Sequence, residues 1–218
     1  LMKEEFLKRI ISSILLIPIT LFFIFEGSIL FNFFITVCFV TTCFEWHLMT
    51  KKKTYNMVGF IFLIFSFFSI YKLRNVFEGE YWYLLFITII CVSTDIGGYI
   101  FGKTFQGPKL TKISPKKTYS GMLGGFLFSI IIGYYYVSSS LISGPIEFTL
   151  NVFIFVFIIS LISQLGDILI SYFKRLSNIK DTGKIIPGHG GMLDRIDGMI
   201  FAFPASYLIL SLNVLFFK

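Results

Sequence analysis

Residues 148–171 read FTLNVFIFVFIISLISQLGDILIS. The run carries no charge before Asp167, and its apolar residues form a block rather than a helical stripe or a strand alternation. A block of about 20 such residues is the length an α-helix needs to cross the hydrocarbon of a bilayer. Working outward, comparable blocks occupy residues 10–26, 28–48, 57–73, 82–101, 121–141 and 197–217, the first and third being short. The fold class expected from this pattern is all-α: a polytopic transmembrane helical bundle of about seven spans. The first block follows Lys8 and Arg9 like a signal peptide. It lacks a small-residue cleavage site before the next block, so a retained anchor is expected.

Composition agrees. Hydrophobic residues make up 56% of the 218, with 29 Phe, and charged residues only 14%. Soluble domains carry about a quarter charged residues, so this chain has too little polar surface to cover a water-soluble globule. Cys38, Cys43 and Cys91 lie inside apolar blocks without paired spacing, which argues against a disulfide framework or a zinc site. The net charge of +7 does not imply nucleic acid, because no basic–aromatic interleaving lies on a soluble face.

The basic residues instead obey a topology rule. With the N-terminus inside, the cytoplasmic segments hold Lys3, Lys8 and Arg9, then Lys51 to Lys53. The next holds Lys103, Lys109, Lys112, Lys116 and Lys117, and the last Lys174, Arg175, Lys180, Lys184 and Arg195. The opposite side holds Lys72, Arg74 and Lys218. This bias predicts an N-in, C-out topology.

All the aspartates lie between 95 and 197, namely Asp95, Asp167, Asp181, Asp194 and Asp197. Acids inside or at the ends of spans are costly, which makes them candidates for function. Within 166–197 three features coincide. Pro187-Gly188-His189-Gly190-Gly191 is a glycine-rich turn whose N–H groups can approach an anion. Asp194 and Asp197, three apart, share a face if a helix begins there. Lys174, Arg175, Lys180, Lys184 and Arg195 supply charge for a polyphosphate. Carboxylates beside such cations suit a Mg²⁺–nucleotide site. The loop 95–121 adds Ser114-Pro115-Lys116-Lys117-Thr118, hydroxyls and ammoniums suited to phosphate. Gly98 and Gly102, and Gly121 and Gly125, are spaced for close helix packing.

These loops together resemble the phosphatidate cytidylyltransferase family. The resemblance rests on Ser171, Lys174-Arg175, Lys180-Asp181, Pro187 to Gly191, Asp194-Arg195-Ile196-Asp197, and earlier on Asp95, Tyr99 and Ser114 to Thr118. It is close over about residues 91–200. Before residue 80 it extends only to membrane spans and a Glu45-Trp46 pair. Gly98 stands where the family commonly has Ala.

The resemblance implies conversion of CTP and phosphatidate to CDP-diacylglycerol and pyrophosphate. It implies catalytic roles for Asp167, Lys174, Asp181, His189, Asp194 and Asp197. Ser114, Lys116, Lys117, Thr118, Lys174, Arg175, Gly188, Gly190, Gly191 and Arg195 would bind substrate. Asp167, Asp194 and Asp197 would hold Mg²⁺, with a second cation, monovalent or divalent, left open. Residues 1–80 would form N-terminal membrane helices with a Lys-rich loop, and 81–218 a catalytic membrane domain. The implied location is the bacterial inner membrane, with the site at the cytoplasmic face, no nucleic-acid partner, and a homodimer left open. The alternatives are a CTP-dependent lipid alcohol kinase, which would release CDP, and a membrane transporter subunit. Concentration of the polar residues at one face counts against the transporter.

Overall fold

The computed structural model describes residues 2–75, 81–111, 113–139, 147–183, 185–186 and 190–212, with side chains for Ser12 and from residue 14 onward. Among these, helices are α1 Met2–Glu26, α2 Ser28–Thr50, α3 Asn56–Asn75, α4 Trp82–Phe105, α5 Tyr119–Ser138, α6 Leu150–Leu176, α7 Leu193–Ile196 and α8 Met199–Ser211. No strand forms among the described residues; two isolated bridges, Lys109 with Thr118 and Ile186 with Gly190, tighten the loops. This is a helical membrane bundle.

Among the described residues five helices, α2 to α6, are long and apolar enough to cross a bilayer. The apolar part of α1, Ile14–Glu26, and α8, Met199–Ser211, are shorter. The expected seven spans thus resolve into five of full length and two shorter apolar helices. Residues 213–217 of the expected last span lie outside the described residues. Many large side chains on the bundle's outside are apolar, such as Ile29, Phe33, Val58 and Ile61. That exterior is stable only in lipid, where no penalty attaches to it.

The interior is organised around α4. Phe86 stacks between Tyr136 of α5 and Phe155 of α6, and Trp82 lies against both Phe86 and Tyr136. Further along the same pair, α4 meets α5 through glycine. A Cβ on Gly97 would lie 2.5 Å from the Gly124 carbonyl oxygen, and one on Gly121 would lie 2.8 Å from that of Gly98. Without hydrophobic drive between helices in lipid, such close backbone approach supplies the packing energy. Polar residues between helices find partners: Thr94 and Ser160 share a hydrogen bond of 2.8 Å, and Ser66 donates to the Ile200 carbonyl at 2.7 Å.

At one end of the bundle, Arg74 closes the α1–α2 corner. Its guanidinium donates to the carbonyls of Ile24 at 2.7 Å and Phe25 at 3.3 Å, the unpaired acceptors at the end of α1. Gly27 turns the chain there with φ 64°, and a Cβ on it would lie 2.1 Å from the guanidinium. At the other end gather the loops after α2, α4 and α6. Ser177 donates to the Met49 carbonyl at 2.8 Å, and Lys117 pairs with Asp167.

Candidate active site

The site grows from the end of α6. Asp167, Ser171 and Lys174 are spaced four and three apart, which lines them along one face. Ser171 donates to Asp167 Oδ1 at 3.3 Å. Asp167 Oδ2 is paired with the Lys117 ammonium. A turn presents that lysine: the Ser114 N–H binds Thr111 Oγ1 at 3.1 Å, and the Lys117 N–H donates to the Ser114 carbonyl at 3.0 Å. Thr118 caps α5, its Oγ1 accepting the Gly121 N–H at 3.1 Å. Lys116, beside it, is exposed.

Lys174, 8% exposed, is the hub. Its Nζ donates to Asp194 Oδ1 at 2.9 Å and lies 3.8 Å from Asp197 Oδ2. The two aspartates reach one ammonium because α7 holds them there. Leu193 is fully buried with Ile170 of α6, Ile200 of α8 and Trp46 of α2, and this apolar floor fixes the short helix. The spacing of Asp194 and Asp197 on one face is therefore realised, although the helix breaks at Asp197 and Gly198 before α8 resumes.

Asp194 is turned inward. Besides Lys174 on Oδ1, its Oδ2 accepts the N–H of Thr182 at 2.7 Å and of Gly191 at 3.0 Å. Burial by itself would raise this carboxyl. The Gly191 N–H, the Lys174 ammonium and the Thr182 N–H together outweigh burial and hold it below the usual carboxylate range. All three aspartates expected at the metal carry partners: Asp194 accepts three donors, Asp167 is held by Ser171 and Lys117, and Asp197 Oδ1 accepts the Gly198 N–H at 2.9 Å with Oδ2 3.8 Å from Lys174. Asp167, Asp197 and Asp95 lie within electrostatic reach of one another and of Lys117, which pairs with Asp167.

The glycine turn differs from the expected phosphate cradle where it is described. The Gly190 N–H donates to the Ile186 carbonyl at 3.1 Å, and the Gly191 N–H is on Asp194. Both donors serve the loop itself. Gly190 is there because its φ is 89°, and Gly191 because a Cβ would lie 2.4 Å from Glu45 Oε2. Lys112, Lys184, Pro187, Gly188 and His189 lie outside the described residues. Arg175 donates to the Ile179 carbonyl at 3.2 Å and shapes the end of α6. Asp181 is exposed on the loop, and Arg195, exposed, lies in electrostatic reach of Asp95.

Glu45, which the family resemblance brings in only as a pair with Trp46, has a role in the site that the sequence does not assign. It sits on α2, 1% exposed, and accepts hydrogen bonds from Thr182 Oγ1 at 3.0 Å, Met192 N–H at 2.9 Å and Leu193 N–H at 2.8 Å. The available signal was an acid at the end of an apolar span, a position that demands a partner.

Among the described residues no three His, Cys, Asp or Glu side chains converge to hold a metal by themselves. Mg²⁺ does not require that. It is commonly held by one or two carboxylates together with substrate phosphates and water. Asp167 and Asp197 are hard oxygen donors within electrostatic reach of a third acid, Asp95, and a cation would add to Lys117 and Lys174 in offsetting their repulsion. The donor set fits the ion.

A cluster of carboxylates and ammoniums at one end of an apolar helical bundle defines a class: integral membrane enzymes that handle phosphate groups. Within that class, a sequence model of the Cytidylyltransferase family matches residues 54–213, and the chain belongs to that family. It is a nucleotidyltransferase. The phosphatidate cytidylyltransferase of Rickettsia felis is 35% identical over 214 residues, covering 95% of this chain and 93% of that protein. That of Rickettsia bellii is 36% identical over 223 residues, covering 95% and 91%. The Bacillus subtilis protein of the same name is 33% identical over 171 residues, covering 76% and 62%.

Proposed function

We propose that this protein transfers the cytidylyl group of CTP to phosphatidate, giving CDP-diacylglycerol and pyrophosphate in phospholipid biosynthesis. The observation that carries the reading is the paired-lysine cluster. Lys117 and Lys174 sit among Asp167, Asp194 and Asp197 at the loop-bearing end of a lipid-exposed bundle. The relatives that match nearly the whole chain are named for this activity.

In the reaction a phosphate oxygen of phosphatidate bonds to the α-phosphorus of CTP. The bond from that phosphorus to the α–β bridging oxygen breaks, and pyrophosphate departs with the electron pair. The nucleophile is already anionic, so no group needs to remove a proton. What the protein supplies is position and charge neutralisation. Lys116 and Lys117 meet the phosphates from the 114–117 turn. Lys174, fixed by Asp194, keeps its charge aimed at the acids on the site's floor. Asp167 and Asp197 would hold Mg²⁺, which when bound neutralises charge on the reacting phosphates. A site at the end of the bundle suits a substrate whose acyl chains stay in lipid while its phosphate stays at the interface. The lysine bias of the same loops supports a cytoplasmic face with the N-terminus inside.

The test is to give detergent-purified protein CTP, phosphatidate and Mg²⁺ and identify the released product. Pyrophosphate is expected. Release of CDP, with a phosphorylated lipid, would establish the kinase instead.

A further inference from the structure

Glu45 lies on α2, outside the residues 54–213 that match the family model, yet it touches the site's loop at three points. Its surroundings are built for it. A Cβ on Gly183 would lie 2.6 Å from Glu45 Oε1, and one on Gly191 would lie 2.4 Å from Oε2. Both arms of the 182–193 loop are clasped between two carboxylates. Thr182 gives its hydroxyl to Glu45 and its N–H to Asp194. On the returning arm Gly191 gives its N–H to Asp194, while Met192 and Leu193 give theirs to Glu45. Asp194 in turn holds Lys174, which reaches Asp197.

We infer that Glu45 is a positioning residue for the transfer reaction. It fixes the loop so that Asp194 holds Lys174 in its working place. The inference rests on the cytidylyl-transfer reading for the reaction it serves. It does not rest on that reading for the clasp itself. Glu45 does not touch substrate; it acts through Thr182, Met192 and Leu193. A buried carboxylate receiving three donors is also a firmer anchor than packing alone, because removing it strands N–H groups away from water. Partners that orient the groups of a site in this way commonly govern activity by about 10–100-fold.

The experiment uses full-length protein in detergent with two variants, Glu45→Gln and Thr182→Val. Gln keeps the size and one acceptor oxygen but turns an NH₂ toward donors. Val removes one link and leaves the backbone. Hydrogen exchange and steady-state kinetics are measured on the monodisperse fraction. The expected result is faster exchange confined to the 182–193 segment in both variants. With it, kcat falls about tenfold or more for Glu45→Gln, while KM for CTP stays within about threefold. The double variant loses less than the product of the single effects. Should Glu45→Gln fail to give folded protein, Thr182→Val decides, since unchanged exchange and unchanged kcat in it overturn the inference. A kcat within twofold of wild type in folded Glu45→Gln overturns it equally. Wild-type protein that makes no CDP-diacylglycerol refutes the proposed function and the catalytic half of this inference together. Active wild type with indifferent variants refutes the inference alone.

Discussion

Replacing Asp194 by Asn gives a sharp test of how the site is held. The carboxylate accepts Lys174 on one oxygen and two backbone N–H groups on the other. Asn keeps only one acceptor. The cheaper arrangement leaves its oxygen on Thr182 and Gly191 and turns its NH₂ toward the Lys174 ammonium. One charge-assisted hydrogen bond is then lost, about 1.5–3 kcal/mol. A stranded buried charge costs about 3–5 kcal/mol, but Lys174 retains Asp197 at 3.8 Å, so the lower range applies. The expected destabilisation is about 2 kcal/mol. For a chain of this size that corresponds to a Tm lower by about 4–8 °C. Thermal unfolding of the purified protein in detergent measures it, and turnover of CTP measured alongside should fall at least tenfold. A Tm within about 1 °C of wild type, together with a raised Mg²⁺ requirement, would refute the reasoning and make metal binding the main role of Asp194.

Other outcomes follow from the same geometry. Because the folded Asp194 carboxyl is held below its usual range, its stabilisation is fully present above about pH 4 and is lost as pH falls through the lowered value. The Tm gap between wild type and Asp194→Asn should therefore be flat from about pH 7 to about pH 5 and close in stronger acid, read from melting curves across that range. Gly97→Ala, whose Cβ would lie 2.5 Å from the Gly124 carbonyl, should cost about 1–3 kcal/mol by overpacking α4 against α5. Gly98→Ala meets only the Gly121 carbonyl at 3.5 Å and should be neutral or raise Tm, since Ala favours helix by up to about 1 kcal/mol; paired melting curves check both. Lys117→Ala leaves Asp167 with Ser171 but without its cationic partner and removes the proposed phosphate contact, so KM for CTP should rise about tenfold in steady-state kinetics.

Much of this was legible in the chain. The blocks 28–48 and 82–101 lie within α2 Ser28–Thr50 and α4 Trp82–Phe105, because uncharged apolar runs have one stable form in lipid. The glycines at 98, 102 and 121 were readable as close packing, and they lie on the α4–α5 seam. Spacing put Asp194 and Asp197 on one face near Lys174, while the grouping of Asp167 with them came from the family resemblance. What spacing does not carry is which oxygen meets which donor. Asp194 and Asp197 look equivalent in sequence, yet one faces the loop's N–H groups and the other the cluster of acids. Thr118 reads in the sequence as a phosphate hydroxyl, and what the sequence does not show is that its Oγ1 also caps α5. Glu45 meets partners more than 130 residues away, and no local pattern announces a contact of that range.

The central claim is that the aspartate–lysine cluster performs cytidylyl transfer, with Asp197 at its centre. The most direct measurement follows CTP labelled in the cytosine ring, incubated with phosphatidate and Mg²⁺, into the organic phase. Wild-type protein should carry the label into lipid, and Asp197→Asn, purified to the same monodisperse state, should carry at most about one-hundredth as much. Equal labelling by the two proteins, or none of the label in lipid with wild type, would contradict it.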